Sequence, residues 1–190
     1  MIAYAITDPL TLNFNTLTAD LIRFSTRANV IVYRDKLTPF YTSNAKIFLR
    51  EARNYPFSKI LLHSDYQLAH ELKADGVHLK STQFDKITKA KALGLFVTMS
   101  THTPEEALKA QSLGADMITF SPIFETPNKG EPKGVDFLKT IVSTVDPLPV
   151  IALGGILTEK HITLCEQSGA KGFASIRYFL KKSYYNLLKN

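Results

Sequence analysis

The 190-residue chain has one cysteine, no tryptophan and no apolar run near the ~20 residues that a membrane-spanning helix needs. A lone cysteine excludes an internal disulfide, and Cys165 lies in a periodic segment, 158 to 167, where a helix position accounts for it. The N-terminal MIAYAITD lacks the basic start and long apolar stretch of a secretory signal, so a cytoplasmic location is expected. Lys and Arg outnumber Asp and Glu by 23 to 17, giving a net charge of +6, yet no stripe interleaves basic with aromatic residues as nucleic-acid binding would require. The lysines spread over helix-like segments as solvated faces, and their surplus potential favours a small anionic ligand. None of the five histidines has metal-ligand spacing. Neither nucleic acid nor a membrane is an expected partner; the tail YFLKKSYYNLLKN, with its helical apolar spacing, is expected to pack on the body as a closing helix.

What is present is a regular alternation of short β-branched or apolar runs with amphipathic segments, the pattern of parallel strands and covering helices. Strands are expected at Ile2 to Ile6, Val30 to Tyr33, Lys59 to Leu62, Gly76 to Leu79, Phe96 to Met99, Met117 to Phe120, Val150 to Ala152 and Gly172 to Ile176. Eight units leave about 24 residues each, enough for a short strand, a helix and tight connections, so one domain over 1–190 is expected. An open doubly wound sheet shares this periodicity; the repetition of eight similar units argues for a closed (β/α)8 barrel. Thr103, Pro104, Glu105 and Glu106 supply a helix start, and Gly114 and Gly169 supply stops. The active face of such a barrel is built from the loops that follow the strands, the longest being Ser121 to Gly134.

Several residues fall on that face. Arg34 and Lys36 lie two apart in YRDK and project to one side of an extended segment, which suits phosphate or pyrophosphate; with Asp35 between them, a surface ion network fits equally. Gly154 and Gly155 follow the apolar run PVIA, where bare backbone N–H groups can approach an anion, although a turn alone would also require glycine. His102, in STHT, is placed for proton transfer near neutral pH or for simple capping of a helix. His63 ends a strand, His78 reads as a packed strand residue, and His70 and His161 read as helix-surface positions. Thr126, Asn128 and Lys129 sit in the long loop, which fits either a lid with a phosphate-reaching lysine or a plain surface loop.

Taken in order, YAITD, YRDK, ADGVHL, STHTPEEALKAQSLGAD, SPIFETPNK, PVIALGGI and SGAKGFASI resemble the landmarks of thiamine phosphate synthases and their TenI relatives, from about Ala3 to Ile176. The resemblance implies a (β/α)8 barrel, usually a homodimer, with its ligand at the C-terminal ends of the strands. It implies that Arg34 and Lys36 hold a pyrophosphate, that Ser100, Thr126 and Lys129 occupy substrate positions, and that Gly154 and Gly155 receive a thiazole phosphate. It implies Mg2+ for a synthase, which joins a pyrimidine pyrophosphate to a thiazole phosphate. TenI-type relatives instead isomerise a thiazole carboxylate phosphate to its aromatic tautomer without metal, and His102 matches the histidine of that role.

The departures from the synthase pattern carry information. Val32 stands where it has glutamine; His63-Ser64 stands where it reads Asn-Asp, with Asp65 one position beyond; and KSTQ offers Gln83 where a further Mg2+ carboxylate is usual, with Lys80 nearby. A shift of the backbone would be needed for Asp65 or Asp85 to substitute. Arg177 replaces a usually small residue near the end of strand 8, where it would add a phosphate contact or cap the strand. Three readings follow: a cofactor-free TenI-like tautomerase using His102; a thiamine phosphate synthase with an altered Mg2+ site; and a catalytically silent barrel that binds a phosphorylated ligand.

Overall fold

The structure, a computed structural model, describes residues 1–180. The expected closing helix therefore lies outside the described residues, apart from its first three positions. Eight strands alternate with seven helices in the order β1 Ile2–Ile6, α1 Leu17–Ser25, β2 Val30–Tyr33, α2 Tyr41–Ala52, β3 Lys59–His63, α3 Tyr66–Glu71, β4 Gly76–Leu79 and α4 Ile87–Ala92. They continue as β5 Phe96–Thr101, α5 Pro104–Ser112, β6 Met117–Phe120, α6 Gly134–Thr144, β7 Val150–Leu153, α7 Glu159–Gln167 and β8 Gly172–Ser175. All neighbours pair in parallel and β8 returns to β1, closing a (β/α)8 barrel and excluding the open sheet. Among the described residues no helix is long and apolar enough to cross a membrane.

Two separate apolar clusters hold the barrel together. The larger fills the layer between strands and helices, with Phe24, Phe48, Phe120 and Phe179 fully buried in it. The smaller fills the lumen with Tyr4, Ile6, Val30, Val32, Leu61, Met117, Ile151 and Ala174. Burying one such large side chain contributes roughly 1.5–3 kcal/mol, so both layers matter to stability. Because side chains alternate across a strand, the lumen set fixes which parity of each strand points inward. Two residues further along the same parity come Arg34 from Val32, His63 from Leu61, Leu153 from Ile151 and Ile176 from Ala174. The lumen thus leads directly to the barrel mouth.

The helix start at α5 forms as expected and does more than end a loop. Thr103 caps it, its Oγ1 accepting the Glu106 N–H at 3.2 Å, with Pro104 in the first turn. Glu106 in turn reaches back, accepting the His102 N–H at 2.6 Å. This reciprocal arrangement resembles a capping box and pins the backbone of His102 at the end of β5. Strand β5 runs two residues beyond its expected end, because Ser100 and Thr101 pair with Thr119 and Phe120 of β6.

Candidate active site

A cavity of about 340 Å³ opens at the C-terminal ends of the strands. It gathers Arg34, Lys36, His63, His78, Lys80, Ser100, His102, Ser121, Thr126, Lys129 and Gly154 over an apolar base that includes Ile6, Leu153 and Ile176. A more open groove of about 650 Å³ runs between α1 and α2, but its only charged residues, Arg50 and Glu51, pair with each other at 2.9 Å. The side chains able to do chemistry converge at the barrel mouth.

One side of the cavity is cationic. Arg34 and Lys36 both line it, and among the described residues Asp35 forms no ion pair with either: its carboxylate accepts the Leu37 and Thr38 N–H groups at 2.8 and 3.1 Å and the Thr38 hydroxyl at 2.8 Å. The pKa of Lys36 is drawn below that of an ordinary lysine, first by the charge of Arg34, then by burial, then by Lys129 and Lys80. Burial likewise draws Arg34 down, against the pull of Asp8 and Asp35. Four cations thus face one space, and none belongs to the ion pairs found among the described residues. Such a cluster is relieved by an anion.

The other side holds neutral hydrogen-bonding groups. His102 lies with Nδ1 3.0 Å from the Ser121 carbonyl oxygen and 3.2 Å from the Ser121 hydroxyl. A carbonyl only accepts, so Nδ1 carries a proton, and in the neutral ring Nε2 keeps its lone pair, the form of a general base. Below, Tyr4 is fully buried and its hydroxyl meets His78 Nδ1 at 2.8 Å, while His78 Nε2 meets Ser100 Oγ at 3.0 Å. A buried hydroxyl proton without an acceptor is costly, so Tyr4 donates to Nδ1, Nε2–H donates to Ser100, and the Ser100 proton is left for the cavity. Burial holds His78 neutral, its pKa pushed down to about 3 with help from Arg34; His63 is pushed to about 2 by burial, then by His78 and the nearby cations.

The glycines after β7 have a steric reason. Gly154 has φ +100°, and a Cβ there would meet Pro122 Cα at 2.7 Å; Gly155 has φ +67°, and its Cβ would meet the Glu125 carbonyl oxygen at 2.4 Å. The loop after β6 lies directly on them, with the Ile123 and Phe124 N–H groups donating to the Leu153 and Gly154 carbonyls at 2.9 and 3.0 Å. Only Gly154 lines the cavity. Helix α7 begins at Glu159 under a Thr158 cap, so its N-terminal dipole is not at the glycines. His161 is no plain surface residue: its ring stacks on Phe124 at 4.3 Å and supports this junction.

Asn128 and Arg177 do not join the cavity lining. Asn128 is an exposed turn residue with φ +61°. Arg177 lies beyond the end of β8 at Ser175 and starts a short 3-10 turn, Arg177–Phe179. Conversely, reading the sequence missed Ser121 and set His78 aside as a packing residue. His78 is packed, at 3% exposure, and also borders the cavity.

The donors expected of a Mg2+ site are missing from the lining, which contains no Asp or Glu. Asp65 caps α3, accepting the Leu68 N–H at 2.9 Å, and Asp85 lies outside the cavity in a 3-10 turn. Gln83 is spent on the protein itself: Oε1 accepts Ser64 Oγ–H at 3.1 Å and the Lys80 N–H at 3.0 Å, and Nε2 donates to the Ser64 carbonyl at 3.1 Å. Mg2+ draws on carboxylate oxygens besides substrate phosphates, and the residues here do not fit it.

The chain is similar to known proteins in sequence and in fold. The family profile for thiamine monophosphate synthase covers residues 3–179. The thiamine-phosphate synthase of Lactococcus lactis is 31% identical over 178 residues, covering 87% of this chain and 81% of that protein. The thiamine-phosphate synthase of Pelotomaculum thermopropionicum is 32% identical over 155 residues, covering 77% and 69%. The solved thiamine phosphate pyrophosphorylase from Pyrococcus furiosus superposes with a TM-score of 0.78 at 27% identity, covering 92% of this chain and 85% of that one. The chain belongs to the thiamine monophosphate synthase family.

Proposed function

We propose that this protein acts in thiamine biosynthesis as a metal-independent, TenI-like thiazole phosphate tautomerase. The observation that carries the reading is the composition of the cavity: a histidine with a bare Nε2 beside four cations, and no carboxylate. Tautomerisation moves one proton from one carbon to another and releases nothing. It needs a clamp for the anionic groups and one well-placed acid/base. Arg34, Lys36 and Lys129 hold the phosphate and carboxylate charges, with Ser100, Thr126 and Gly154 shaping the rest of the pocket. His102 Nε2 takes the proton and, as imidazolium, returns it at the second carbon. The Ser121 carbonyl accepts from Nδ1–H throughout and holds the ring in place.

The names of the relatives favour a second reading, the synthase coupling of a pyrimidine pyrophosphate to a thiazole phosphate. The experiment that separates them offers the purified protein the thiazole carboxylate phosphate tautomer alone and, separately, both phosphorylated halves with Mg2+. Conversion of the tautomer without coupling supports the proposal. Formation of thiamine phosphate overturns it. No turnover in either assay, with folded protein that still binds the phosphates, identifies a silent binding barrel.

A further inference from the structure

We infer that Lys80 takes the place of a divalent cation in this cavity, making the barrel mouth a metal-free, four-cation site for a compact phosphate or diphosphate group. The inference rests on the same cavity as the proposed function but not on its reaction. Lys80 follows His78 by two residues, continuing the inward parity of β4 to the cavity edge, where it joins Arg34, Lys36 and Lys129. Its backbone is held there by Gln83, only 7% exposed, which accepts the Lys80 N–H at 3.0 Å and ties the loop after β4 to Ser64 after β3. The Gln83 amide is thus consumed in placing a lysine.

The charges explain why the exchange works. A divalent cation held by two carboxylates adds no net charge to a site, whereas a lysine without a carboxylate adds one positive charge. The lining has four such charges and no acid. Lys36, Lys80 and Lys129 line one cavity, and Lys36 is drawn below an ordinary lysine by Arg34, burial and these two neighbours. A phosphate group satisfies these donors directly; free Mg2+ would have to enter against four positive charges and would instead bind the anion in solution.

The test is calorimetric titration of the full chain with inorganic pyrophosphate and, separately, orthophosphate, in EDTA and in excess Mg2+. Binding in EDTA is expected, with Mg2+ failing to tighten it, and pyrophosphate binding more tightly than orthophosphate if the site spans two phosphoryl groups. Lys80→Ala is expected to weaken pyrophosphate on the order of ten-fold, and Lys80→Arg to retain most of the affinity. Lys139→Ala, on the exposed face of α6, controls for general surface charge and is expected to change nothing. Thermal unfolding matching wild type shows that each variant is folded. Binding that requires Mg2+, or a folded Lys80→Ala protein that binds as wild type does, overturns the inference. Pyrophosphate binding without tautomer turnover would sink the proposed reaction alone, and turnover without metal-free pyrophosphate binding would sink this inference alone.

Discussion

The two halves of the barrel mouth are built differently. The half after β2 to β4 supplies Arg34, Lys36 and Lys80, with His63 and His78 held neutral beneath them; the half after β5 to β7 supplies Ser100, His102, Ser121 and Gly154, with Lys129 the one cation reaching over from its long loop. The first half holds charge and the second positions hydrogen-bonding and proton-transfer groups. The departures from the synthase pattern at Val32, His63-Ser64 and Lys80 to Gln83 fall in the first half; Arg177, after β8, departs outside it. Because strands of one barrel bring separate loops to a common space, one half can lose its metal ligands while the other keeps its geometry.

The sharpest way to break this comparison is at His102. His102→Ala is expected to reduce tautomer turnover by about 10²–10⁴-fold while phosphate affinity holds, seen in steady-state rates beside a binding titration. An equal loss of affinity would show that the two halves do not divide the work. Arg34→Ala is the reciprocal change: charge-assisted contacts are worth about 1.5–3 kcal/mol, so phosphate affinity should fall by roughly 10–100-fold. Turnover at saturating substrate should suffer less than affinity.

Gly154→Ala tests the second half's backbone. The added Cβ meets Pro122 Cα at 2.7 Å with φ at +100°, so stability should drop by about 1–3 kcal/mol, measured by denaturant unfolding. A test through pH concerns His78. Its folded pKa of about 3 lies below the unfolded value of about 6.5, so its contribution to stability is intact above that unfolded value. As pH falls the unfolded chain takes up a proton first, and stability declines by about 1.4 kcal/mol per pH unit until the folded pKa is reached. His78→Gln should remove one proton's worth of that slope, read from unfolding curves between pH 7 and pH 4.

Much of the barrel was legible in the sequence because parallel strands alternating with amphipathic helices leave a strong periodic signal. Strand ends were placed less well: His63, Ser100, Thr101 and Leu153 extend their strands because partners across the sheet hold them, which local sequence does not reveal. Arg34 and Lys36 were legible from their two-residue spacing. His78 was not, because both faces of a barrel strand are buried and GVHL shows no polar alternation to mark the lumen side. Its assignment needed the register with Tyr4 and Ser100, residues distant in sequence. Arg177 was not placed by local sequence either, since β8 ends at Ser175 and the chain turns there into a 3-10 segment. The glycines of LGGI follow an apolar strand run in the sequence; that their closest neighbours are the loop from Pro122 to Glu125 is not visible there.

The measurement that bears most directly on the central claim is the rate of thiazole carboxylate phosphate tautomer conversion by protein exhaustively treated with EDTA. A cavity that uses lysine and arginine in place of metal predicts the same rate with chelator as with added Mg2+, and its loss in His102→Ala. A rate that vanishes in EDTA and returns with Mg2+ would contradict the account.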